Sequence, residues 1–201
     1  MARKILISTA YLPPIDYISI ISGAEEILIE TQESYIKQTY RNRCYILSAS
    51  GPQLLTVPVY NRSVNNTLIK NIRIDYSKRW QQVHTGAIRA SYGSSPYFQY
   101  YFEEFERSIN RNYEFLFDLN MDLLHVVTKF IRIEVKIGLT ESYASPANSP
   151  DDYRYSIKRS ETTNSEAKKY LQVFMQENGF VSGLSIIDLL FNKGPDSIVY
   201  L

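Results

Sequence analysis

The chain has 201 residues, 44% hydrophobic and 21% charged, with a formal net charge of +1, which fits one soluble globular domain. Residues 1–100 carry 11 basic and 6 acidic side chains (net +5) and residues 101–201 carry 11 and 15 (net −4), so the acidic half disfavours wrapping a nucleic acid while the basic half can attract a small anionic ligand. A single cysteine excludes an intramolecular disulfide and a thiolate zinc cage, and with no run of ~20 apolar residues and no signal-length leader the expected place is the cytoplasm, without membrane insertion.

Lys4 to Thr9 is a short apolar run that predicts a buried strand. Tyr11-Leu12-Pro13-Pro14 breaks it, and Ile15, Ile18, Ile21 and Ala24 predict a short helix opened by the prolines. Glu26 to Glu30 is the next strand, so the opening is a βαβ unit with parallel pairing. Arg43–Ser48 and Leu54–Val59, separated by Ser50-Gly51-Pro52, predict a hairpin, and Leu68–Ile74 predicts a further strand. The two glycosylation patterns, Asn61-Arg62-Ser63 and Asn65-Asn66-Thr67, are of no use to a cytoplasmic chain.

Beyond residue 76 the pattern turns helical. One helix face carries Trp80, Val83, His84, Ala87 and Ile88, with Ser77 as the expected N-cap. Phe98, Tyr101, Phe102, Phe105 and Ile109 form a second apolar stripe, and a third helix runs from Met121 to Ile133, its end blurred by the strand-like alternation of Ile131 to Ile137. Tyr143 to Glu166 is polar and aperiodic; Ala167–Met175 and Leu184–Phe191 are the last helical candidates, the latter with Ser185 as cap and Gly194-Pro195 as stop. The expected fold is α/β: an N-terminal, mostly parallel sheet opened by a βαβ unit, followed by a mainly helical C-terminal half. It forms one domain, with a sheet-rich part at 1–76, a helical part at 77–139, a long flexible loop at 140–166 and short helices at 167–201.

Chemistry-bearing residues concentrate between Tyr40 and Phe98. Alternation from a strand at Arg43 puts Arg41 and Arg43 on one face, where two guanidinium forks grip a phosphate or carboxylate bidentately; Lys37 is near, and residues 34–74 hold no acid. The alternative is a pair of solvated surface arginines. His84 shares a helix face with Trp80 and Ile88, which makes it a candidate general base, or else a core histidine satisfied by a backbone carbonyl. Cys44 is better read as a small buried hydrophobe than as a nucleophile. With two histidines and no metal-ligand spacing, no metal site is expected, and no cofactor can be assigned. The turn after the first strand lies where open α/β sheets bind ligands. Seventeen tyrosines suit polar clefts and interfaces, or reflect a compositional habit.

Taken in order, these segments resemble the WbqC-like protein family. The aromatic-x-Pro-x-x-x-Tyr turn maps to Tyr11, Pro13 and Tyr17; the Asn-Arg pair with an upstream lysine maps to Asn42, Arg43 and Lys37. Leu55-Thr56-Val57-Pro58-Val59, Trp80 with His84, Tyr92 to Phe98, and Leu184 to Asn192 with Gly194-Pro195 complete the match. Where relatives carry an aspartate pair before the lysine, this chain reads Thr31-Gln32-Glu33. The resemblance implies a place among bacterial genes for O-antigen and other surface polysaccharides. It strengthens Tyr11, Asn42, Arg43 and His84 as site residues. The expected function is a transferase acting on an anionic, activated or nucleotide-linked sugar, with His84 as base and Tyr11, Tyr17, Lys37, Arg41, Asn42, Arg43, Trp80 and Tyr92 binding substrate. The alternative is a non-catalytic assembly protein of the same pathway, and the oligomeric state stays open.

Overall fold

The computed structural model describes residues 3–60, 66–143, 151–157 and 168–201. Strand β1 (Lys4–Ser8), helix α1 (Ile15–Ser22) and strand β2 (Glu26–Glu30) form the expected βαβ unit, with Ile5 opposite Ile27 and Ile7 opposite Ile29 in a parallel ladder. These four isoleucines share one face of the sheet and are buried, while Leu6 and Leu28 on the other face are half-buried. The third strand of the sheet comes from the other half of the chain: β5 (Lys136–Leu139) adds parallel to β2, giving the order β1-β2-β5. The protein is α/β, with an N-terminal parallel sheet and a helical C-terminal half.

β3 (Arg43–Ser48) and β4 (Gly51–Thr56) form a separate antiparallel hairpin. Its turn needs Gly51, whose φ of +102° lies in a region closed to most L-residues. The strand expected over Leu68–Ile74 is instead a 3-10 turn at Ile69–Asn71, with single bridges from Leu68 to Ser34 and from Ile74 to Val59. Ile69, Ile72 and Ile74 are all buried, so their spacing reflects burial rather than a ladder.

Helices α2 (Trp80–Tyr92), α3 (Phe98–Asn110) and α4 (Leu116–Ile131) follow. Ser77 does not cap α2: its N–H is bound by Asp75 at 2.8 Å, and the helix begins at Trp80 behind Arg79. α4 starts a turn earlier than the apolar stripe predicts, and Arg132, in the left-handed region at φ 60°, stops it before β5. Of the helix expected over Ala167–Met175, residues 168–174 are not helical. Gln172 mimics a ladder there, donating to the Val181 carbonyl at 2.8 Å and accepting from the Val181 N–H at 2.9 Å.

After the short α5 (Met175–Asn178), α6 (Ile186–Lys193) runs through the core with Ile186, Ile187, Leu189, Leu190 and Phe191 fully buried, and Ser185 caps it as expected. Of the loop predicted at 140–166, residues 151–157 lie beside β1, where Tyr153 N–H donates to Leu6 O at 2.7 Å and Leu6 N–H to Asp151 O at 2.9 Å. Residues 144–150 and 158–167 lie outside the described residues, as do Asn61 and Asn65 of the glycosylation patterns.

Candidate functional site

The turn that leaves β1 sets the site. Leu12 sits at φ +38°, a conformation costly for a leucine, and is held there by α6: Ser185 Oγ donates to the Leu12 carbonyl at 2.8 Å and Ile186 N–H to the Pro13 carbonyl at 2.8 Å. This fixes Ser8, Thr9, Ala10 and Tyr11 at the carboxyl edge of the parallel sheet, where open α/β sheets bind ligands.

A crevice of about 270 Å³ opens at that edge, walled by Ser8, Thr9, Tyr17, Tyr40, Arg41, Tyr153, Arg154 and Tyr155. Its floor is charged and buried. Arg41 clasps Glu33 through Nε at 2.8 Å and Nη2 at 2.5 Å, and Nη2 also reaches Ser8 Oγ at 2.7 Å. Arg154 donates through Nη1 to Glu30 at 2.8 Å and through Nη2 to Asp152 at 2.6 Å. The Tyr143 and Tyr155 rings flank the Arg154 guanidinium, their centroids 5.1 and 6.0 Å away. The carboxylates stand behind the guanidiniums and fix their planes, and with both arginine side chains almost wholly buried the crevice presents mainly aromatic and apolar faces over a charged, internally paired floor.

The pairing also neutralises the arginines. Residues 34–74 hold no acid, but Glu33 lies one residue upstream and folds under Arg41. Because the strand begins at Arg43, behind a turn through Gln38 at φ 62°, the expected alternation does not reach back to Arg41. The two arginines therefore do not form one anion clamp: Arg41 lines the crevice, and Arg43 pairs opposite Thr56 in the hairpin.

His84, Trp80 and Thr56 line a second, more open cavity of about 370 Å³. Tyr11 links the two: its N–H donates to the carbonyl of Tyr40 in the crevice wall at 2.8 Å, and its hydroxyl meets His84 Nδ1 at 2.8 Å. Burial holds the imidazole down to about 4, against the smaller opposing effect of its hydrogen bond to the Thr56 carbonyl. The ring is thus neutral at pH 7. With its proton toward the Thr56 carbonyl, Nδ1 accepts from Tyr11, whose phenol burial keeps protonated. Action as a base requires the Tyr11 bond to open, because Nδ1 holds the ring's free lone pair.

Of the other predicted residues, Tyr17 lines the crevice and donates to the Ser8 carbonyl at 3.0 Å, while Lys37 is exposed between crevice-lining Ile36 and Thr39. Asn42 is buried, its Nδ2 on the Val57 carbonyl at 3.0 Å, where it ties the hairpin together. Tyr92 is fully buried and lines neither cavity; its hydroxyl accepts from Leu47 N–H at 2.9 Å. Cys44 is buried, and burial pushes its thiol up, which suits a small hydrophobe and not a nucleophile. Sequence reasoning missed Ser8, Glu30, Glu33, Asp152 and Arg154. The available signal was two glutamates closing an apolar strand and an arginine flanked by tyrosines in a polar segment. Among the described residues no group of histidine, cysteine and acidic side chains could hold a metal, and no helix is long and apolar enough to cross a membrane.

The chain is thus an α/β protein whose parallel sheet carries an aromatic, arginine-floored crevice, a candidate site, at its carboxyl edge. The chain belongs to the WbqC-like protein family, which matches residues 9–164 and 155–200. It is similar to the uncharacterised protein Rv1507c of Mycobacterium tuberculosis, at 25% identity over 237 residues covering 100% of this chain and 98% of the relative. No solved structure matches.

Proposed function

We propose that this protein is a group-transfer enzyme of bacterial surface-polysaccharide biosynthesis, acting on an activated or nucleotide-linked sugar whose ring lies in the crevice. The crevice itself carries the reading. Apolar C–H faces of a sugar pack on tyrosine rings, and about 270 Å³ approaches the lower end of small-ligand pockets. The family's name association with O-antigen gene clusters supports the pathway. The reacting end of the sugar points toward the Tyr11–His84 pair, and His84 takes the proton at Nδ1 once its Tyr11 bond opens. Replacing His84 by Gln then cuts turnover roughly 10²- to 10⁴-fold while leaving sugar binding in place; normal turnover removes His84 from the chemistry.

The binding half is tested by thermal unfolding against nucleotide sugars and amino sugars. A ligand at about 100 times its Kd stabilises by roughly 2.7 kcal/mol, or about 2–4 °C at this size. Tyr155, partly exposed at the rim, can be cut to Ala without opening the core, and the shift then disappears. A shift of equal size in Tyr155→Ala rejects the crevice as the sugar site. One observation favours a second reading, a sugar-binding assembly protein: the charges on the crevice floor are paired, and both imidazole nitrogens of His84 are engaged. That protein shows the same thermal shift, with no product by mass spectrometry in any donor and acceptor combination.

A further inference from the structure

The second cavity has a character the crevice lacks. Lys78 and Arg79 stand exposed at its rim, and the same two residues border a neighbouring open depression with Gln81, Gln82 and Asn112. No acidic side chain lines either hollow. Asp75, the nearby acid in this stretch, is held by the Ser77 N–H, with Lys78 beside it. Trp80 forms the wall next to these cations. It is 4% exposed, and its indole N–H makes no hydrogen bond to the described residues. That nitrogen is sealed from solvent, so Trp80 gives the hollow its ring and not its N–H. Two cations without a facing carboxylate make a site of opposite electrostatics to the crevice, whose arginines are neutralised from behind.

We infer that this cavity binds the phosphate or pyrophosphate group of a small phosphorylated ligand, with Lys78 and Arg79 supplying charge beside the Trp80 ring. The sequence pointed to Lys37, Arg41 and Arg43 for that task; the geometry moves it to Lys78 and Arg79. The inference does not depend on the crevice binding a sugar. If both hold, the two sites meet at the Tyr11–His84 pair, and a sugar phosphate or nucleotide sugar would span them.

Trp80 is the chain's one tryptophan, so its fluorescence reports the site directly. The full-length protein is titrated with inorganic pyrophosphate at constant ionic strength, with sodium chloride as the control anion. The expected result is a saturable change in tryptophan emission with pyrophosphate and none with chloride. In the double variant Lys78→Ala, Arg79→Ala, both changes on exposed side chains, half-saturation moves at least tenfold higher. A charge-matched pair elsewhere, Lys129→Ala with Lys136→Ala, leaves it unchanged. The inference is overturned by an equal response to chloride or by undiminished affinity in the Lys78, Arg79 variant. It is overturned equally if neither emission nor calorimetry detects saturable binding, a result that leaves the thermal-shift test of the crevice standing.

Discussion

At the scale of single residues, the molecule places its strongest interactions between charges that water does not reach. Arg41 with Glu33, and Arg154 with Glu30, are buried pairs in which each carboxylate has further donors. Removing one partner from such a pair leaves an uncompensated charge, so Glu33→Gln is expected to cost about 3–5 kcal/mol in urea unfolding. Tyr155→Ala, which touches the same cluster from the partly exposed rim, should cost about 1 kcal/mol or less. Two other buried groups oppose one another as pH changes. His84 is held down to about 4, so the unfolded chain binds its proton more readily; its contribution to stability is complete above pH 6.5 and is lost as pH falls to 4. Asp188 is pushed up to about 6 by burial, against hydrogen bonds from Tyr170, Tyr92 and Gln172, so its contribution is complete below pH 3.8 and is lost as pH rises to 6. Each is worth about 3 kcal/mol, and they largely cancel between pH 4 and 6. His84→Gln removes one side of the balance. Relative to the parent, this variant should gain about 3 kcal/mol on going from pH 7 to pH 4, measured by denaturant unfolding at both pH values.

The elements show which signals a sequence carries and which it does not. The βαβ opening, the hairpin and α6 were legible because local pattern and punctuation agree: alternate or continuous isoleucines, prolines ahead of α1, Ser185 at the cap and Ser50-Gly51-Pro52 near the hairpin turn. Gly51 and Pro52 already pair in β4, however, which runs to Thr56 and not over Leu54–Val59. Leu68–Ile74 misled because its isoleucines point into the core from a 3-10 turn and two isolated bridges, and burial alone imitates a strand. Residues 168–173 misled in the opposite sense. Their exposure alternates, with Tyr170 and Gln172 buried beside exposed Lys169 and Leu171, but the partner is a glutamine side chain and not a ladder. Gly194 was read as a helix stop, and it is more than that. Its φ of 55° and the Tyr97 ring lying against it leave no room for a Cβ. Gly194→Ala should destabilise by about 2 kcal/mol or more by thermal unfolding, while Gly86→Ala on α2, where a Cβ meets nothing, should stabilise by several tenths of a kcal/mol up to about 1.

For the molecule as a whole, the two halves are divided by composition and joined by topology. The sheet that positions the crevice takes its third strand from residues 136–139 and its charged lid from residues 151–157, far from the βαβ unit in sequence. That is why the site was only half legible. Tyr17 and Arg41 were found from motifs, whereas Glu30, Arg154 and Asp152 converge through contacts separated by more than a hundred residues, which no local spacing encodes. Tyr92 and Asn42 belong to the same motifs but sit inside the core, bonded to the Leu47 N–H and the Val57 carbonyl. The central claim, that the crevice at the carboxyl edge of the parallel sheet is the ligand site, is tested most directly by mapping backbone amide NMR shifts on addition of the sugar compound with the largest thermal shift. The account predicts perturbations concentrated at residues 7–10, 36–41 and 153–157. Perturbations confined to the cavity between α1 and residues 180–183, with residues 7–10 and 153–157 unmoved, would contradict it.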